Sequence, residues 1–246
     1  MPEELPEGSR AVDIAGGDGL LFVLSEPGSI PTADFHAWYD EDHLPARAAL
    51  PGVRRADRWR VSDTSPPVWA ATYELDLEVL RTPAYRRLRA ERDAREQQVL
   101  AGLGMLDRRV FRRGTSWATA GAADTEAGPV RLTVALSVEP QHEDELARWY
   151  AEEHAPQLLQ VPGWRSITQY ALLEGAGPRH LAVHELDGPQ VFAHPAYRQA
   201  MATSWGADLF SRVTQRQRWV LEYRPAPQEG PGGRAHQSTR AGAGSP

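Results

Sequence analysis

The chain has 246 residues, 41% of them hydrophobic, and a formal net charge of -6. That length supports one or two conventional cores, and the acidic balance excludes the basic stripe that nucleic-acid binding requires. The lack of cysteine excludes disulfides, thiolate metal sites, iron–sulfur clusters and a cysteine nucleophile.

Residues 1–18 carry Glu3, Glu4 and Glu7 ahead of any apolar stretch, unlike a signal peptide, and read as a flexible N-terminus. No apolar run approaches the ~20 residues of a membrane span, so a cytoplasmic protein without a membrane partner is expected. The AGGDG run at 15–19 precedes a strand instead of following one, which is wrong for a dinucleotide fingerprint. A Val/Leu-rich strand is predicted at 20–25, then a helix from about residue 33 to 42. On a helical wheel Phe35, Trp38, Tyr39 and Asp42 share one face, so the helix is amphipathic with its aromatics turned inward. Pro45 lacks an amide hydrogen and disfavours helical geometry before it, so the helix should stop or kink near His43. Pro51-Gly52 marks a turn into a strand at 54–61, and a third strand follows at 68–75. Proline is tolerated in a first helical turn, so a second helix begins near Pro83, and a closing strand lies at 108–112. Residues 114–129, rich in Gly, Ala and Thr, read as a linker.

The pattern then repeats. Residues 38–53 read WYDEDHLPARAALPGV and residues 149–164 read WYAEEHAPQLLQVPGW. Trp38, Tyr39, Glu41, His43, Pro45, Pro51 and Gly52 match Trp149, Tyr150, Glu152, His154, Pro156, Pro162 and Gly163 without a gap. YELD at 73–76 answers HELD at 184–187, and TPAYR at 82–86 answers HPAYR at 194–198. Second-copy strands are expected at 130–138, 165–172, 180–186 and 217–223, and the Pro/Gly/Ser-dense stretch 225–246 reads as a disordered tail. The third strands are almost continuously apolar, as in a sheet buried on both faces. The expected fold is α+β: two tandem ferredoxin-like repeats, 19–113 and 130–224, forming an internal dimeric α+β barrel.

The W-Y-x-x-x-H-x-P segment followed by Pro-Gly resembles the EthD-like branch of the dimeric α+β barrel superfamily, over both repeats. The resemblance implies that the second copy replaces the second chain of single-repeat relatives, giving a monomer with an internal pseudo-dimer, or a homodimer of such chains. It also implies a small-molecule substrate and a choice among cyclases, dehydratases, decarboxylases, isomerases, cofactor-free monooxygenases and haem enzymes.

The candidate catalytic residues are His43 and His154, placed alike in both copies, and Glu74 and Glu185, late in strands expected to be buried. A histidine at a helix C-terminus has its imidazolium favoured by the dipole, and a buried carboxyl of raised pKa makes a proton donor or acceptor. The structural alternative pairs each His with a neighbour such as Glu41 or Glu152, and each Glu with Arg54 or Arg165. Candidate substrate-binding residues are Trp38, Tyr39, Trp59, Tyr73, Trp149, Tyr150, Tyr170 and His184, whose rings also suit a plain core. His180 and His184 stand four apart on a strand, roughly 13 Å, so no metal site is expected. The leading expectation is a cofactor-independent lyase or isomerase using His/Glu acid–base chemistry on a small aromatic or polyketide-like carbonyl compound. The alternatives are a haem-binding barrel enzyme and a non-catalytic binder of a hydrophobic metabolite.

Overall fold

The computed structural model describes residues 17–119, apart from 63, 65 and 67, and residues 128–225. The expected flexible N-terminus and disordered tail lie outside the described residues except at their inner ends, as does half of the expected linker, residues 120–127.

The first repeat runs β1 (Asp18–Glu26), α1 (Thr32–Ala37), α2 (Leu44–Ala48), β2 (Val53–Val61), β3 (Trp69–Asp76), α3 (Pro83–Ala90), α4 (Ala94–Gly102) and β4 (Met105–Ala118). The second runs β5 (Val130–Val138), α5 (Glu143–Trp149), α6 (Ala155–Leu158), β6 (Trp164–Glu174), β7 (His180–Leu186), α7 (Pro195–Ala200), α8 (Ser204–Phe210) and β8 (Val213–Arg224). Strand β4 continues through Ser116, Trp117 and Ala118, which pair with Thr168, Ile167 and Ser166, so the linker starts later than its small-residue composition suggests.

Each repeat forms a four-stranded antiparallel sheet, ordered β4-β1-β3-β2 and β6-β7-β5-β8. Edge joins edge: β2 pairs with β8 and β4 with β6, closing one eight-stranded barrel. Because strand side chains alternate, each strand presents one row to the helices and one to the barrel interior. Leu20, Phe22, Trp59, Phe111, Tyr170 and Leu221 pack inside. Phe35, Trp38, Tyr39 and Tyr73 pack between the first sheet and its helices, and Trp149, Tyr150 and Trp164 do so in the second repeat. Burying such aromatics contributes about 1.5–3 kcal/mol each, which fixes the helices on the outside of the barrel.

The helix does not stop at either histidine. Trp38–His43 and Tyr150–His154 form wide π-helical turns, and α2 and α6 continue the helix beyond them. In a regular α-helix the Pro45 ring would press on the carbonyl four residues back. The wide turn, in which Leu44 N–H reaches Tyr39 O, moves that carbonyl out of register and lets the helix pass through. Ala155 N–H reaches Tyr150 O in the same way ahead of Pro156.

Candidate functional site

The aromatic face of the first repeat and its sheet enclose a cavity of about 100 Å³, bordered by Trp38, Tyr39, His43, Tyr73, Arg47 and Glu96. Two local features place His43 there. The π turn rotates its ring onto Trp38 and Tyr39, with centroids 4.2 and 4.9 Å away. Asp93 caps α4 by accepting from the amide of Glu96, which sets Glu96 in the first turn facing His43. His43 Nδ1 lies 3.4 Å from Glu96 Oε1, and Arg47 Nη2 lies 3.3 Å from the same oxygen. Arg47 also donates to the carbonyl of His43, at 3.2 Å. The Tyr73 hydroxyl, buried in the cavity wall, has no hydrogen-bond partner among the described residues.

Burial lowers His43 to a pKa of about 4, with Glu96 opposing that shift. This corrects the expected rise. His43 sits inside a continuing helix, so no C-terminal dipole favours its charge, and desolvation dominates. His43 and Arg47 hold Glu96 below its usual carboxylate range. Neither Glu41 nor Glu152 pairs with a histidine: Arg95 takes Glu41 and Arg148 takes Glu152.

The second repeat lacks the carboxylate. His154 stacks on Trp149 with centroids 4.0 Å apart, and burial lowers it to about 3. Its Nδ1, like that of His43, and both ring nitrogens of His184 have no hydrogen-bond partner among the described residues. Aligned by their caps, Asp93 and Thr203, the first turns of α4 and α8 put Gly206 where Glu96 stands. There Gly206 is packed against the Trp149 ring. The space beside His154 and His184 is only about 30 Å³.

Glu74 and Glu185 are on the other face of the sheet. Tyr73 and His184 point toward the helices, so the residues that follow them point into the barrel. The expected His/Glu pairs are therefore separated by the sheet. Trp59 and Tyr170 also face the interior, where Trp59 Nε1 donates to Thr72 Oγ1 at 2.9 Å. Nor do Arg54 and Arg165 hold the carboxylates; they pair with Asp18 and Asp187. The partner is Arg131, 1% exposed. Its Nε lies 2.5 Å from Glu185, its Nη2 3.2 Å from Glu74, and its Nη1 donates to Thr72 at 3.0 Å. Asp57 completes the group at 3.8 Å. Burial raises the carboxyls of Asp57 and Glu185 against the pull of this arginine.

Glu96, Arg47, Asp57 and Arg131 were not singled out from sequence. The D-x-x-E at 93–96 is a readable capping signal, and Arg131 is a charge set in an otherwise apolar strand, VRLTVALSV.

Neither histidine site fits a haem. A macrocycle falls within the ~300–1,000 Å³ range of larger ligand sites, and the space at each histidine is far smaller. His43 and His154 are already packed on aromatic rings. Among the described residues no helix is long and apolar enough to cross a membrane, and no cluster of three or more metal-ligating side chains occurs.

The architecture is that of the dimeric α+β barrel proteins, with both ferredoxin-like halves in one chain. An anthrone oxidase-like protein is similar at TM-score 0.55 and 14% identity, over 85% of this chain and 92% of that one. A putative chlorite dismutase gives TM-score 0.55 at 12% identity, over 85% and 96%. A putative monooxygenase from Fusobacterium nucleatum subsp. nucleatum gives 0.53 at 10%, over 84% and 92%. These likenesses establish the fold alone. No protein-family model and no curated protein matches the chain.

Proposed function

We propose that the chain is a cofactor-independent enzyme of the EthD-like kind that moves a proton on a small enolisable or phenolic ring compound, working in the helix-side pocket of the first repeat. The observation that carries this is the His43–Glu96 contact under Tyr73, which the second repeat lacks. At neutral pH His43 is an uncharged imidazole, able to accept a proton. Glu96 faces Nδ1 at 3.4 Å, outside hydrogen-bond geometry, so it leaves Nε2 to the substrate and stabilises the imidazolium as it forms. Tyr73 O–H is free to donate to a substrate oxygen on which negative charge develops. The cavity, about 100 Å³, is smaller than the apolar cavity of about 150 Å³ that holds benzene, so the compound is no larger than a single ring.

Deprotonation of such a compound leads to isomerisation, dehydration or ring closure, the reverse proton transfer quenches the enolate left by loss of CO2, and a lyase or isomerase is the reading we favour. The likeness to an anthrone oxidase-like protein and to a putative monooxygenase supports a second reading, in which dioxygen adds to the deprotonated ring.

The test is deuterium exchange at the acidic carbons of 1,3-cyclohexanedione and resorcinol, followed by NMR with an oxygen electrode in parallel. Catalysed exchange in the wild type and in His154→Asn, lost in His43→Asn, is expected. Oxygen uptake would select the second reading. Tight binding of a ring compound without exchange or turnover would leave a binder and overturn the proposal.

A further inference from the structure

The largest cavity among those described is inside the barrel, about 240 Å³, and reaches the β4–β6 seam at Ser116, Trp117, Ser166 and Thr168. Its apolar wall is Leu20, Phe22, Val183 and Tyr170, and its polar lining includes Thr72, Ser166 and Thr168. Glu74 and Glu185 form one side, clamped by Arg131. Arg131 uses Glu185 Oε1, whereas Glu185 Oε2 is buried with no hydrogen-bond partner among the described residues. A buried carboxylate oxygen without a donor is unfavourable, so a donor on a bound molecule would relieve it.

Three breaks in strand pairing surround this cavity. Arg54 is an extra residue in β2, opposite the step from Leu75 to Glu74. Arg165 is an extra residue in β6, opposite the step from Leu186 to Glu185. Strand β4 bulges between Arg113 and Ser116. Bulges at barrel rims re-aim side chains. Here they leave Arg55, Arg113 and Arg165 lining the cavity. Arg55 is held by Asp57 and Arg165 by Asp187, whereas Arg113 has no carboxylate partner among the described residues and donates to the hydroxyl of Ser116.

We propose that this interior cavity is a second binding site, for a small hydroxylated carboxylic acid. Its carboxylate meets Arg113 at the mouth, its hydrocarbon body lies along Phe22 and Val183, and its hydroxyl donates to Glu185 Oε2. The site is shared by the repeats but is not duplicated, because Leu20 in β1 stands where β5 has Arg131, each opposite its own glutamate.

The test is isothermal titration calorimetry of the full chain with 4-hydroxybenzoate, benzoate and phenol as probes. One equivalent of 4-hydroxybenzoate should bind, with benzoate and phenol each about tenfold weaker or more. Arg113→Ala, at an exposed position, should weaken 4-hydroxybenzoate about tenfold, and Thr168→Phe should abolish binding by filling the cavity. Glu185→Gln should bring 4-hydroxybenzoate down to the level of benzoate. Circular dichroism establishes that each variant is folded, and the first two stand even if Glu185→Gln is not. The proposal is overturned if no probe binds at millimolar concentration, or if affinity is unchanged in both Arg113→Ala and Thr168→Phe. It is also overturned if binding is lost in His43→Asn while Thr168→Phe still binds, because the probe then sits in the helix-side pocket.

Discussion

Arg131 of the second repeat reaches out of its own sheet to Glu74 of the first, with Nη2 3.2 Å from the carboxylate, while its Nε holds Glu185 of its own repeat. The guanidinium lies over the Trp59 ring, 4.4 Å from the centroid, and is buried. One buried cation thus neutralises carboxylates from both halves.

Removing that cation should be costly. Arg131→Leu copies what the first repeat has at Leu20 but strands Glu74, Glu185 and Asp57, and the expected loss is about 3–5 kcal/mol in urea unfolding. Adding Glu185→Gln should recover part of that loss, because the two changes act on one ion group. A single variant within about 1 kcal/mol of wild type would show that the cluster carries no weight.

Glu96→Gln should act on His43 and not on the fold. Glu96 opposes the burial-driven lowering of the His43 pKa, so its removal should move that pKa down from about 4. The histidine ring signals in an NMR titration report this directly. With a substrate in hand, kcat should fall more than KM rises, as expected of a residue that acts on the base and not the ligand.

Stability should decline as the solution is acidified. His43 and His154 have folded pKa values of about 4 and about 3 against 6.5 for a free histidine, so the unfolded chain takes up their protons first. Their stabilisation is complete above pH 6.5 and is lost as pH falls toward 4, at up to ~1.4 kcal/mol per pH unit for each. Asp57 and Glu185, raised by burial, act in the opposite sense and blunt the slope. His154→Gln should flatten the dependence between pH 6 and 5 by about 1 kcal/mol, measured by denaturant melts at both values. An unchanged slope would mean that His154 does not titrate in the unfolding reaction.

Gly28 packs backbone to backbone on Gly104. Its φ is +62°, and an added Cβ would lie 2.3 Å from the Gly104 nitrogen. Gly28→Ala combines a strained left-handed residue with a clash against an atom that cannot swing away. The expected cost is on the order of 2 kcal/mol in a thermal or urea melt.

The repeat was legible because Trp38/Trp149, His43/His154 and the Pro-Gly turns are local and recur in one order, and the tandem fold follows from them. Strand β3 and strand β7 were legible from continuous apolar character. The π turns were not, since Pro45 reads as a stop and only the three-dimensional path shows how a wide turn avoids its ring. Nor was the split between His43 and Glu74. Their neighbours in sequence are similar in kind, but one side chain points out of the sheet and the other into it. Glu96 lies 53 residues from His43 and Arg131 lies 54 from Glu185, separations over which local spacing has nothing to say.

With β2 joined to β8 over Arg58–Val61 and β4 joined to β6, every barrel strand has a paired neighbour on each side. Single-repeat chains that assemble this way must use one surface for both roles. Here each half closes the barrel against the other half of the same chain, and the chain itself fixes that pairing. Leu20 and Arg131 are what that permanence allows: a substitution on one side can be answered on the other without having to suit its own mirror image.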